Sequence, residues 1–354
     1  MQHRLPKYYR TEATHQTFSQ RRISERDLNL IATIARYRII PTSLLVRLTN
    51  GNDRITYEHL QVLYHRGLIN RFHFPRVGPP GQFHYYLDHL AALDLLNRYG
   101  WDTSALDRAE IRYNREHGYC QVNDPRIPEE SRPSLAALRH EMMISRFQAL
   151  LELACRSTSG AVELVAFSRK VRHLKHAITA PKLRRIPTED GDEVWEEFDE
   201  TETLPHWPDA FFTLRFPDLP DSDQERHFFY EADRKTMTLP RFTKKLRAHH
   251  QFILRQKDQQ HIERHYGVNR IRAVLIETID SHWAEKLRLN AARSRMIAPK
   301  PSVLFWFTTS ELFTRPAQTG ATPRPQPSYL THPEIIFDRI WATPVDNTLH
   351  SLLE

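Results

Sequence analysis

The sequence predicts an α/β chain in two parts, and three observations carry that prediction. Over residues 23–100 apolar residues first recur at helical spacing and then alternate in short runs. A polar stretch broken by prolines follows. Beyond residue 134 long helical patterns alternate with strand-like runs, the order of a mixed sheet covered on both sides. A chain of 354 residues is long enough for about two cores. No apolar run approaches the ~18 residues needed to cross a bilayer. Met1-Gln2-His3-Arg4-Leu5-Pro6-Lys7 lacks the apolar segment of a secretory signal, so a cytoplasmic location without membrane contact is expected. Two cysteines, Cys120 and Cys155, have no zinc-ligand spacing and fit a reducing compartment.

Residues 1–22 read as a basic flexible arm, with Arg4, Lys7, Arg10, Arg21 and Arg22 against Glu12. A first domain is expected over 23–100. Ser24 and Asp27 have capping-box spacing ahead of the stripe Leu28, Ile31, Ile34 and Ala35. A short helix is expected over Thr42 to Leu48, then a turn at Asn50-Gly51-Asn52. Asp53 is placed to cap a third helix reaching about Arg66, and Gly67 to end it. Leu68 to Phe74 and Gln82 to Leu87 read as strands around the turn Pro75 to Gly81.

Three helices followed by strand, loop and strand is the order of a winged helix-turn-helix, whose third helix enters the major groove. The third helix offers Arg54, Tyr57, His59, Gln61, His65 and Arg66, and the wing offers Arg71, His73, Arg76 and His84. These are donors suited to the base edges and phosphates of double-stranded DNA. The same module also serves protein contacts, where an exposed helix face is simply polar. A helix over His89 to Tyr99 either extends this domain or makes a homodimer contact. Residues 101–133, with Asp124-Pro125, Ile127-Pro128 and Arg132-Pro133, read as a linker.

A second domain is expected over 134–312. It opens with a helix from Ser134 to Cys155 and a strand from Ala161 to Phe167. A basic segment follows with Arg169, Lys170, Arg172, Lys175, Arg184 and Arg185 and no acid, suited to DNA phosphates. Nine acids then crowd into Glu189 to Glu202, most simply a solvated loop, alternatively a cover for the basic groove. Further strands are expected over Trp207 to Leu214, His227 to Lys235, Ile271 to Thr278 and Val303 to Phe307. Helices are expected over Pro240 to Asp258 and Trp283 to Met296. Residues 313–354 read as a Pro-rich tail in which Ile335 to Trp341 could dock back. The net charge is +7, and with nine acids confined to one stretch the rest is more basic still, which points to nucleic acid.

Side chains alternate along a strand, so Glu231 and Asp233 share a face while Phe228, Tyr230 and Ala232 share the other. With Asp209 from a neighbouring strand they would form an oxygen-rich cup for a hard cation such as Mg²⁺. The alternative is a pair of acids leading into a solvated turn. His261 and His265 lack the intervening pattern of a metalloprotease, and the His-x-His run a tyrosine relaxase would need is missing. Only ten glycines occur, with no phosphate-binding loop among them.

Arg139-His140-Glu141 on a helix, Pro208-Asp209-Ala210, Glu231-Ala232-Asp233-Arg234-Lys235-Thr236 and Lys245-Leu246 on the next helix stand in an order that resembles the PD-(D/E)xK nuclease core. Joined to an N-terminal winged helix, the chain looks most like the replication-relaxation family of plasmids and integrative elements, over roughly residues 24–280. The resemblance implies a PD-(D/E)xK-nuclease-like domain and a protein acting at an origin region in replication initiation, relaxation or mobilisation, beside a relaxase or replication partner. It implies Mg²⁺ held by Asp209 and Glu231, with Glu141 assisting and a lysine orienting or deprotonating the attacking water. Here the sequence departs from the pattern, because Asp233 stands where that lysine belongs. Lys235, Lys244 or Lys245 would have to reach in instead. The competing expectation is a relaxosome accessory factor or transcriptional regulator that keeps the fold only to grip DNA or a partner.

Overall fold

The computed structural model describes residues 20–73, 82–87, 90–103, 135–169, 176–187, 193–255, 260–298, 300–314, 328–346 and 348–354. It is a mixed α/β chain dividing into two units after Ala149. Among the described residues no helix is long and apolar enough to cross a membrane.

In the first unit α1 (Glu25–Tyr37) starts at the capping box its sequence predicts: Ser24 Oγ accepts from Asp27 N, and Asp27 Oδ2 accepts from Ser24 N at 2.8 Å. Strand β1 (Ile39–Pro41), α2 (Thr42–Leu48) and α3 (Asp53–His65) follow. Asn52 rather than Asp53 caps α3, its Oδ1 accepting from Arg54 N at 3.0 Å. Gly67, at φ 77°, closes the helix, with Gly67 N donating to Tyr64 O and Leu68 N to Leu63 O. At Gly51 a Cβ would stand 2.4 Å from Thr56 Oγ1 and 2.5 Å from Arg26 Nη2, so only glycine lets these two meet.

Strands β2 (Asn70–His73) and β3 (Phe83–Tyr86) complete an antiparallel sheet in the order β1-β3-β2. Helix α4 (Leu90–Arg98) buries Ala92, Leu93 and Leu96 and packs on α1 inside this unit. Helix α5 (Leu135–Ser157) is shared by both units. Its first half sets Leu138 and Met142 against Ile39, Phe72 and Tyr86, and Ser145 Oγ donates to Tyr37 O at 2.8 Å.

The second unit is built on a seven-stranded sheet. Its strands are β4 (Glu163–Arg169), β7 (Ala210–Arg215), β8 (Glu225–Asp233), β9 (Ala273–Thr278), β10 (Phe305–Thr309), β11 (Trp341–Ala342) and β12 (Leu349–His350). β4, β7 and β8 are antiparallel neighbours, whereas β8, β9 and β10 run parallel, joined by α6 (Leu239–His250), a π-helical turn (Gln251–Arg255), α7 (Gln260–Tyr266) and α8 (Ser281–Arg293). One sheet face packs Phe211, Phe229, Val274, Ile276 and Phe307 against Phe242, Leu246, Trp283 and Leu287 of the helices. In the tail expected beyond residue 313, Trp341–Ala342 and Leu349–His350 add two short strands to the sheet edge.

The acidic stretch departs most from expectation. Residues 193–202 of the acidic stretch, read as a solvated loop, fall in β6 (Glu193–His206), paired antiparallel with β5 (His176–Pro187), which carries Lys182, Arg184 and Arg185 of the basic segment. Cross-strand charge explains the pairing: Lys182 Nζ lies 2.6 Å from Glu200 Oε2, and Arg184 stands in register with Glu196. A two-stranded ribbon is marginal alone in water. This one is anchored by Ile178, Ala180 and Leu204 in the core, and by Glu202 bonded to Lys244 and Arg247 of α6.

Asp27 is buried beneath α1 and takes His59 Nδ1 of α3 at 2.7 Å. Burial raises its pKa, but hydrogen bonds from His59 and Ser24 outweigh that and hold the carboxyl below its ordinary value. Asp27→Ala should therefore cost roughly 2 kcal/mol, seen as faster amide exchange over residues 25–65 of the full chain. The ionised carboxyl contributes fully above its ordinary 3.8 and its contribution fades as pH falls through the depressed folded value, so wild type and variant should converge in acid.

Candidate active site

The β7–β8 register sets Ala210 opposite Tyr230, and one step further out brings Asp209 beside Glu231. Asp209 N donates to Tyr230 O at 3.1 Å, and Asp209 Oδ2 accepts from Ala232 N at 3.0 Å. Both carboxyls are buried, on the sheet face that carries Phe211 and Phe229. Two carboxylates this close in a dry site repel unless a cation joins them.

That cation is Lys245. Phe242 and Leu246 fix α6 on the core, and Lys245 and His249, four apart, project from one helix face. Lys245 Nζ donates to Glu231 Oε2 and lies 3.9 Å from Asp209 Oδ2. His249 Nε2 lies 2.6 Å from Glu231 Oε1. Burial opposes charge on Lys245, but Asp209, Glu231 and Asp233 together push the ammonium up to about 12.

Asp233 ends β8 and accepts from Trp283 Nε1. Its carboxyl is pushed up by burial, a shift partly offset by the indole bond and by Lys245. Lys235 stands apart. The strand stops at Asp233 and Lys235 takes φ 59°, which sends Nζ to 3.5 Å from Asp280 Oδ2 and to 5.6 Å from the Trp283 ring centroid. Continuation of the strand through Lys235, on which its reach toward Glu231 depends, does not occur. Lys244 pairs with Glu202 at 2.8 Å. Glu141 lies in the first unit, where Arg38 Nη1 is 3.3 Å from its Oε2.

Asp209 and Glu231 supply the hard oxygens Mg²⁺ prefers. Among the described residues, no group of three His, Cys, Asp or Glu is arranged to hold a metal ion. A divalent ion therefore fits this pair of carboxylates only where the Lys245 ammonium gives way.

The expected DNA contacts divide by burial. Arg54, with an 87% exposed side chain, pairs with Glu58 at 3.1 Å, and Tyr57 is exposed beside it. Gln61 is half-buried, and Arg66 donates to Arg21 O. His59 is turned inward to Asp27. His65 is fully buried, which corrects its reading as a base contact: a ring in the core cannot enter a groove. The Arg71 guanidinium is sandwiched between the Tyr64 and Phe83 rings, 4.1 and 4.3 Å from their centroids. His84 is buried in the sheet. In the second unit Arg169 is buried, Arg184 lies 5.2 Å from the Phe198 ring, and Arg185 stands in register with Trp195. Arg76, Lys170, Arg172 and Lys175 fall outside the described residues.

Sequence reasoning missed three residues of this site: His249, His206 behind it, and Trp283 on Asp233. The Lys-x-x-x-His spacing on α6 was the available signal for the first. A family model described as replication-relaxation matches residues 31–265. No curated protein and no solved structure matches the chain.

Lys245→Met would leave the carboxylates without their cation, at a cost of roughly 3 kcal/mol. Asp233, already pushed up, would be pushed further, and a carboxyl with a raised folded pKa loses stability as pH rises through it. The deficit measured by urea unfolding should therefore widen as pH rises from the ordinary 3.8 of Asp233 through its raised folded value.

Proposed function

The chain belongs to the replication-relaxation family, and on that footing we propose that it binds plasmid or mobile-element DNA at an origin region and nicks it with Mg²⁺, in replication initiation, relaxation or mobilisation. In support of DNA binding, the first unit has the order α1-β1-α2-α3-β2-β3 with sheet order β1-β3-β2, which is that of a winged helix-turn-helix. Arg54 and Tyr57 on the open face of α3 are then the groove-reading side chains. In support of nicking, the second unit has three antiparallel strands, then a helix, then a parallel strand, as a PD-(D/E)xK core does. The observation that carries the proposal is the meeting of the Lys245 amine with Asp209 and Glu231.

Asp209 and Glu231 would hold Mg²⁺, with Asp233 as a third carboxylate steadied by Trp283. The ion supplies neutralisation of the phosphate and a bound water that ionises readily. The Lys245 ammonium, which stands beside both carboxylates, would give way to the ion and turn its positive charge toward the phosphate. It thereby replaces, from the helix, the lysine that Asp233 displaces from the strand.

One observation favours a second reading. Both oxygens of Glu231 are already engaged, by Lys245 and His249, as in a charge-balanced site that only grips DNA or a partner relaxase. Supercoiled plasmid incubated with the protein, with Mg²⁺ or with chelator, separates the two. Nicking by wild type that is lost in Asp209→Ala, with duplex affinity unchanged, is the expected result. Intact plasmid throughout selects the second reading. Arg54→Ala should weaken specific duplex binding by about 1–3 kcal/mol with little change on unrelated duplex, measured by fluorescence anisotropy.

A further inference from the structure

Behind the carboxylates lies a row of buried imidazoles. His249 Nε2 is 2.6 Å from Glu231 Oε1, and His249 Nδ1 is 3.0 Å from His206 Nε2. Both rings are 1% exposed. His206, at the end of β6, stacks on Phe252 of the π-helical turn, with centroids 4.1 Å apart and planes at 6°. It meets His249 edge-on at 4.7 Å. Neither ring is free to turn without breaking this packing.

The order of protons along the row follows from elementary bonding rules. Glu231 receives the Lys245 ammonium on Oε2, and an ionised carboxylate only accepts, so Oε1 accepts as well. Nε2 of His249 must then carry hydrogen. With one N–H on each ring, Nδ1 of His249 is the acceptor and Nε2 of His206 the donor that faces it.

We propose that His249 is a positioning residue for Glu231 and that His206 fixes the tautomer of His249. Together they hold Oε1, so that Oε2 is the oxygen left to Lys245, or to a hard cation that displaces it. The inference rests on the nuclease reading above and deepens it: a carboxylate ligand needs its second oxygen held if the first is to keep its aim. Losing such an outer hydrogen bond typically lowers metal affinity about 10–100-fold.

Two measurements on the full chain test it. In a protein labelled with ¹⁵N-histidine, NMR should show both His249 and His206 as Nε2–H tautomers, whereas an Nδ1–H form of His249 overturns the proposal. Calorimetric titration with Mg²⁺ alone, without DNA, then compares wild type with His249→Phe, which keeps a packed ring but no donor, and with His249→Gln, which keeps an N–H near the Nε2 position. The Phe variant should bind about 10–100-fold more weakly, with the Gln variant recovering most of the loss. Equal affinity in all three overturns the proposal. Should His249→Phe not fold, His206→Gln against His206→Phe gives the same comparison one residue further back. A wild type that binds no Mg²⁺, with both tautomers as stated, overturns the nuclease reading while supporting the proton order.

Discussion

The second unit depends on one electrostatic constraint: Asp209 and Glu231 are forced together in a dry sheet and must share a cation. The β7–β8 register dictates their proximity, and backbone hydrogen bonds at Asp209 leave no slack to separate them. An uncompensated buried carboxylate costs several kcal/mol, more than any single apolar contact nearby. The rotation of α6 is therefore set by Lys245 as much as by Phe242 and Leu246. Once that face is fixed, Lys244 and Arg247 must lie on the side that meets Glu202, and the hairpin is pinned there.

Charge is accordingly distributed in a way that composition hides. Lys182 of β5 is paired with Glu200, and Lys244 and Arg247 of α6 with Glu202, so acids of β6 offset part of the positive charge on the two elements beside it. Arg54 on α3, with an 87% exposed side chain paired only with the exposed Glu58 of its own helix, is a cation open to act at a distance.

Features set by neighbours in sequence were legible in advance. The Ser24–Asp27 box, the glycine that ends α3 and the shared face of Glu231 and Asp233 each follow from spacing of a few residues. What sequence concealed was decided by partners far along the chain. Charges masked the alternation of β5 and β6, whose pairing is anchored by Ile178, Ala180 and Leu204 meeting a core built from elements far along the chain. His59 and His65 occupy helix positions that look polar and open, yet tertiary packing turns one to Asp27 and encloses the other. The choice between Lys235 and Lys245 rested on where β8 stops and how α6 turns, neither of which is a local property.

A lysine that reaches Glu231 from a helix constrains which substitutions this site can accept. Position 233 meets the Trp283 indole and can accept other side chains that satisfy it. Positions 231, 245 and 249 are instead bound into one heritable set, because loss of either helix residue strands an oxygen of Glu231 in the interior. Which side chain one of these three positions accepts is therefore decided by the other two, at a strand terminus and on a helix face.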